Sequence, residues 1–123
     1  MAITDVYDRS FTAGDHAAGL DERADALNHA ARWIRNPGEI DRAAANLSST
    51  VAKFPQAFGS MRDWLLAELA AGRIVDGAGP DTTSQAVHAA ESALEQASSA
   101  AWELHKLLEE LHGHVCRLSI AHT

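Results

Sequence analysis

From Val87 to Leu118 the apolar residues recur at intervals that alternate between three and four: Val87, Ala90, Leu94, Ala97, Ala101, Leu104, Leu108, Leu111, Val115 and Leu118. This spacing marks a helix with a narrow apolar seam that lies against another helix. No Gly or Pro breaks the run before Gly113. The seam is alanine-rich before Ala101, where a partner backbone can come close, and leucine-rich after it, where more area is buried. The pattern demands a second long helix, and the rest of the sequence supplies one.

The second run is Ile40, Ala44, Leu47, Val51, Phe54, Phe58, Met61 and Leu65, in the same spacing. Asn36-Pro37-Gly38-Glu39 reads as its start, with Asn36 as N-cap and Pro37 in the first helical position. Pro55 falls inside it, where a missing backbone donor and a ring clash disfavour a straight helix. Because the seam keeps its phase from Phe54 to Phe58, the expectation is one helix kinked at Pro55 rather than two helices joined by a loop. It ends near Ala71, with Gly72 as a left-handed cap and Ile74 or Val75 folded back. Asp76-Gly77-Ala78-Gly79-Pro80 is a turn, and Thr82-Thr83-Ser84-Gln85 fits a capping box for the next helix.

A first, shorter helix carries Ala17, Leu20, Ala24, Leu27, Ala31 and Ile34. Asp15, Asp21 and Glu22 suit its N-terminal end, and Arg32 and Arg35 its C-terminal end. Ile3, Val6, Tyr7 and Phe11 precede it without a sustained period and are expected to form an arm docked on the helices.

The expected fold is therefore all-α: a long antiparallel hairpin plus a shorter N-terminal helix in a three-helix bundle. Its parts are an arm at 1–14 and one domain at 15–123, with helices about 15–35, 37–71 and 82–118. The first helix is too short to cover the hairpin, which leaves Trp64, Leu66, Leu69, Trp102 and Leu107 outside the main seams. Large uncovered apolar patches mark interfaces, so a second copy is expected to complete a four-helix core. Trp64, Leu69, Trp102 and Leu107 are the expected interface residues; Trp33, Trp64 and Trp102 read as core or interface anchors.

The formal net charge of −7 disfavours binding to nucleic-acid phosphates. No apolar stretch approaches the roughly 20 residues that span a bilayer, so no membrane partner is expected. The N-terminus lacks the basic and apolar regions of a signal peptide. The lone Cys116 excludes an internal disulfide framework, and a cytoplasmic setting follows as the expectation.

The polar constellation with most chemical content is His105, Glu109 and His112, spaced four and three on one helix. Two imidazoles and a carboxylate at this spacing are ligands for zinc or iron, and Glu109-x-x-His112 matches half of a di-iron bundle unit. Asp21, Asp25 and His29 on the first helix are the available companions, with Ala26 where a second Glu-x-x-His unit needs its Glu. Without metal, the same residues form a polar edge beside the seam. Ser48, Ser49, Thr50, Ser98 and Ser99 read as polar-face residues, and Cys116 as a plain thiol, since no activating triad is evident.

Arg117 and His122 have the spacing of the Arg-x4-His motif of HEPN-type RNases, without a polar residue after the arginine. In gross shape the hairpin resembles the WXG100 proteins secreted by type VII systems. Its turn, Arg73-Ile74-Val75-Asp76-Gly77, carries no Trp-x-Gly, and the tail no Tyr-x-x-x-Asp/Glu. The resemblance implies a secreted helical hairpin. The residues themselves point first to a non-catalytic interaction, assembly or regulatory factor that forms a homodimer. A metal- or small-ligand-binding bundle is the alternative, with a divalent metal as its one implied cofactor.

Overall fold

A computed structural model of the chain describes residues 9–121; Ile3, Val6, Tyr7 and His122 lie outside that range. Among the described residues the fold is all-α. Its elements are α1 (Ala13–Ala30), a 3-10 turn (Ala31–Trp33), α2 (Pro37–Val51), α3 (Phe54–Ala70) and α4 (Pro80–Val115). The chain divides into two compact units, Met1–Arg35 and Asn36–Thr123.

In the first unit, α1 begins two residues earlier than Asp15 because Thr12 caps it. The Asp15 backbone N–H donates to Thr12 Oγ1 at 3.2 Å, and Thr12 N–H donates to Asp15 Oδ2 at 2.9 Å. This is a reciprocal capping box that satisfies two otherwise orphaned donors. It holds the Asp15 carboxyl below its ordinary range, chiefly through the Thr12 backbone N–H and then the Thr12 hydroxyl. The expected end near Arg35 is corrected: regular helix stops at Ala30, tightens into the 3-10 turn, and Ile34 turns extended at φ −61° and ψ 132°. Asn36, the residue before Pro37, is also extended, at φ −156° and ψ 160°, as a following proline requires.

The second unit is an antiparallel hairpin in which α2 and α3 both pack against α4. Asn36 caps α2 through Oδ1, which accepts from Glu39 N–H at 3.2 Å, and Pro37 opens the helix. The bend expected at Pro55 is present as a short interruption at Ala52 and Lys53. Pro55 has no N–H for the Val51 carbonyl four residues back, so regular bonding cannot run through. Yet Ala52 (φ −60°, ψ −18°) and Lys53 (φ −88°, ψ −17°) stay right-handed, and Lys53 N–H donates to Thr50 O at 3.1 Å. The two segments thus remain one bent rod and the seam keeps its phase.

At the far end of α3, Gly72 takes φ 69°. Gly72 N–H donates to Leu69 O at 3.1 Å and Arg73 N–H to Glu68 O at 3.0 Å, the paired bonds of a Schellman cap. The Arg73 guanidinium then forks onto the Glu68 carboxylate at 2.7 and 3.0 Å. Ile74 folds back and is half-buried, whereas Val75 is exposed. The capping box expected at Thr82 does not form. Pro80 already occupies the first helical position of α4, with Gly79 (φ 122°) as its cap. The buried Thr83 instead ties the turn together, accepting from Asp76 N–H at 2.7 Å and donating to Gly79 O at 2.8 Å. The helix runs 36 residues through Gly113 and ends at Val115, three short of Leu118.

The buried apolar residues of the hairpin are all small: Ala44, Val51, Val87, Ala101 and Val115. Small side chains at the contact let helix axes approach closely, so space rather than bulk is what the seam conserves. Ala44 is 1% exposed. Ala44→Leu should therefore lower the unfolding free energy by about 1–3 kcal/mol through overpacking, measured by urea titration. A second expectation concerns α1. The carboxylate of Asp15 stabilises the cap fully above the ordinary carboxyl range, and the contribution is lost as pH falls through the lowered value. The protection of the first-turn amides against hydrogen exchange, relative to their intrinsic rates, should fall as pH drops through the Asp15 titration, and Asp15→Asn should remove that acid-dependent step.

Candidate functional site

Periodicity alone places Leu104 and Leu111 in the hairpin seam and His105 and His112 beside it. The structure reverses this. His105 and His112 are half-buried towards α2, while Leu104 and Leu111 are 46% and 40% exposed. From Ala101 onward the contact positions of α4 are Ala101, His105, Leu108, His112 and Val115. Opposite them on α2 stand Asp41, Ala44, Ser48 and Val51.

Two polar layers result. In the first, Ser48 Oγ lies 2.9 Å from His105 Nδ1 and donates to Glu109 Oε1 at 2.8 Å. His105 Nδ1 also lies 3.1 Å from the Ser48 carbonyl oxygen. Ser48 has one proton, and Glu109 receives it, so the imidazole carries its proton on Nδ1 and donates to both Ser48 oxygens. Trp102 stacks on the imidazole, with ring centroids 5.2 Å apart and planes 26° apart. In the second layer, one turn pair further along, Asp41 Oδ1 and His112 Nδ1 form an ion pair when the imidazole is charged. Both atoms are buried, and neither makes a hydrogen bond of good geometry among the described residues. The close approach is therefore an electrostatic contact.

The expectation that Ser48 belongs to a polar face is corrected: at 2% exposure it is buried against α4. A hydroxyl, an imidazole and a carboxylate in contact invite comparison with a nucleophilic triad, and the geometry argues for a structural tie instead. In a triad the carboxylate orients the imidazole and the imidazole takes the serine proton. Here the serine proton goes to the carboxylate, the imidazole is a donor to the serine, and the hydroxyl is sealed from solvent. The chain from His105 through Ser48 to Glu109 binds α4 to α2.

The expected metal ligands are divided between the layers. His105 Nε2 is 4.0 Å from Glu109 Oε1, whereas His112 is turned to Asp41. Among the described residues no three His, Cys, Asp or Glu side chains are grouped to hold a metal ion. Asp21, Asp25 and His29 are exposed on α1. Cys116 is exposed, its thiol directed to the Gly113 carbonyl at 3.5 Å. Between Trp102 and the bend lies a shallow open cleft of about 380 Å³, lined by Pro55, Ser98, Ser99, Trp102 and Glu103.

The expected interface residues also separate. Leu69 is half-buried, on the α4-facing side of α3. Trp64, Trp102 and Leu107 are 56%, 53% and 60% exposed. At 100° per residue, however, Trp102 and Leu107 lie about 140° apart around α4 and belong to opposite flanks. Trp102 sits on the polar flank with His105 and Glu109.

The other flank carries a second stripe, which the seam spacing by itself does not separate from the first. The residue one position before each contact residue of α4 is Ala86, Ala89, Ala93, Gln96, Ala100, Leu104, Leu107 or Leu111, and all are exposed. The corresponding residues of the bent rod are Ile40, Ala43, Leu47, Thr50, Phe54, Ala57, Met61 and Trp64, half-exposed or exposed. In an antiparallel pair a step of one residue backwards turns both helices to the same side. The two stripes therefore form one face, and neither carries a charged residue. The signal was in the sequence: a helix with two adjacent three-four stripes is built to meet two neighbours.

Ser48→Val fills the serine's space and removes the hydroxyl that joins His105 to Glu109, while the backbone carbonyl of residue 48 still accepts from the imidazole. It should destabilise the hairpin by about 0.5–1.5 kcal/mol in chemical denaturation, and Glu109→Gln, which retains an acceptor, by less. No helix among the described residues is long and apolar enough to cross a membrane. No protein-family model, curated protein or solved structure matches the chain.

Proposed function

We propose that the chain is a non-catalytic helical association factor, which self-associates through its hairpin and serves as an assembly or regulatory component. The observation that carries this reading is the uncharged apolar flank formed by α4 and the bent α2–α3 rod. It contains Leu104, Leu107, Leu111, Met61 and Trp64, each at least 40% exposed. Faces of this extent on a single chain mark sites of association.

A second copy is favoured as the occupant by length. The flank runs along a 36-residue helix, about 54 Å, and a helix of α1's 18 residues reaches about 27 Å. A stable dimer buries about 800 Å² per partner, and a flank that runs the length of a 36-residue helix offers area on that order. The net charge of −7 speaks against a phosphate-backbone partner, and the single thiol suits a reducing compartment such as the cytoplasm.

The flanks make a discriminating test. Trp64→Ala combined with Leu107→Ala should shift the dimer to monomer in sedimentation velocity with the helical circular dichroism retained, because both side chains are exposed within the protomer. Trp102→Ala, on the opposite flank, should leave the dimer intact. A dimer that survives the first variant and dissociates with the second would refute the assignment of the face.

A further inference from the structure

Resting on the self-association reading, we infer that the second copy docks antiparallel, α4 against α4, about a two-fold axis that crosses the helix near Ser98. The stripe on α4 is graded in size, with Ala86, Ala89 and Ala93 towards one end and Leu104, Leu107 and Leu111 towards the other. Laid against a second copy in parallel, leucine would meet leucine and alanine would meet alanine, which crowds one end and leaves the other gapped. Laid antiparallel, large meets small throughout.

One register satisfies the whole stripe. With the axis at Ser98, Leu111 faces Ala86 of the other copy, Leu107 faces Ala89, Leu104 faces Ala93, and Ala100 faces Gln96. The same axis bisects α4, whose bounds are Pro80 and Val115, so the two helices overlap along their full length. A shift by a heptad either way would lose about a fifth of the overlap, and in one direction it would place Gln96 against Leu107.

The bent rod meets the condition at its centre, while two large residues meet further out. The Ser48–His105 and Asp41–His112 contacts carry the hairpin register across from α4, and Ser98 then lies level with Pro55. About an axis at Pro55 the flank of α2 and α3 pairs Leu47 with Trp64, Thr50 with Met61 and Phe54 with Ala57 of the other copy. Bulk again meets a smaller residue at the centre, where Phe54 and Ala57 adjoin the axis. The bend itself falls on the symmetry axis, so both copies bend at the same place and the contact is preserved on either side. Two-fold closure of this kind uses one patch twice.

Cysteine cross-linking tests orientation directly. In a Cys116→Ser background, the Ala89→Cys, Leu107→Cys double variant should form a covalent dimer under mild oxidation, because antiparallel docking brings each new thiol to its opposite number. The two positions lie 18 residues apart on one helix, about 27 Å, so they cannot pair within a chain. Each single variant should stay uncross-linked. A spin label at Gln85 gives a readout without disulfide geometry: the two labels should lie about 40 Å apart in the antiparallel dimer, against under about 20 Å in a parallel one. Cross-linking of the single variants, or a short label distance, overturns the antiparallel register while leaving self-association standing. A monomer by sedimentation at every concentration overturns both.

Discussion

The register of α2 against α4 is fixed by two polar contacts, and the rest of the hairpin depends on it. His105 reaches Ser48 and His112 reaches Asp41. Both pairs are seven residues apart on their helices, so they specify the same alignment twice. A seam of Ala44, Val51, Ala101 and Val115 could slide with little penalty, because small apolar side chains interdigitate weakly. A buried hydroxyl that must keep its partners cannot slide without leaving donors and acceptors unpaired. Polar groups at seam positions are a recognised way of specifying register at some cost in stability.

Placing histidines in the seam has a consequence for the leucines. Leu104, Leu107 and Leu111 rotate out onto a flank where Ile40, Leu47, Met61 and Trp64 join them. The hairpin is therefore two-sided: a polar flank with Trp102 stacked on His105, and an uncharged apolar flank. Hydrophobic area that would have held the hairpin together is instead offered outward. That division accounts for the exposure of Met61, Trp64, Leu104, Leu107 and Leu111 beside a small buried core.

Much of the architecture was legible in the residues. The Asn36-Pro37 start, the Pro55 bend that keeps phase, and the Gly72 cap each rest on local chemistry that tertiary contacts do not override. Other boundaries moved for local reasons. Thr12 with Asp15 made a capping box ahead of the expected start, and Pro80 pre-empted Thr82. The polar layers were not read because periodicity ranks a leucine above a histidine for a seam position, whatever stands opposite. Asp41 and Ser48 at the same interval as His105 and His112 held the missing information, which emerges only when both helices are read together. The expected cluster of His105, Glu109 and His112 failed to converge for the same reason: each histidine answered to a different residue of α2.

Sedimentation equilibrium of the unmodified protein at micromolar concentration decides whether another copy of the same chain covers the apolar flank. A covered flank gives a species of twice the 13.1 kDa chain mass. A mass of one chain that persists as concentration rises leaves the flank uncovered and rules self-association out.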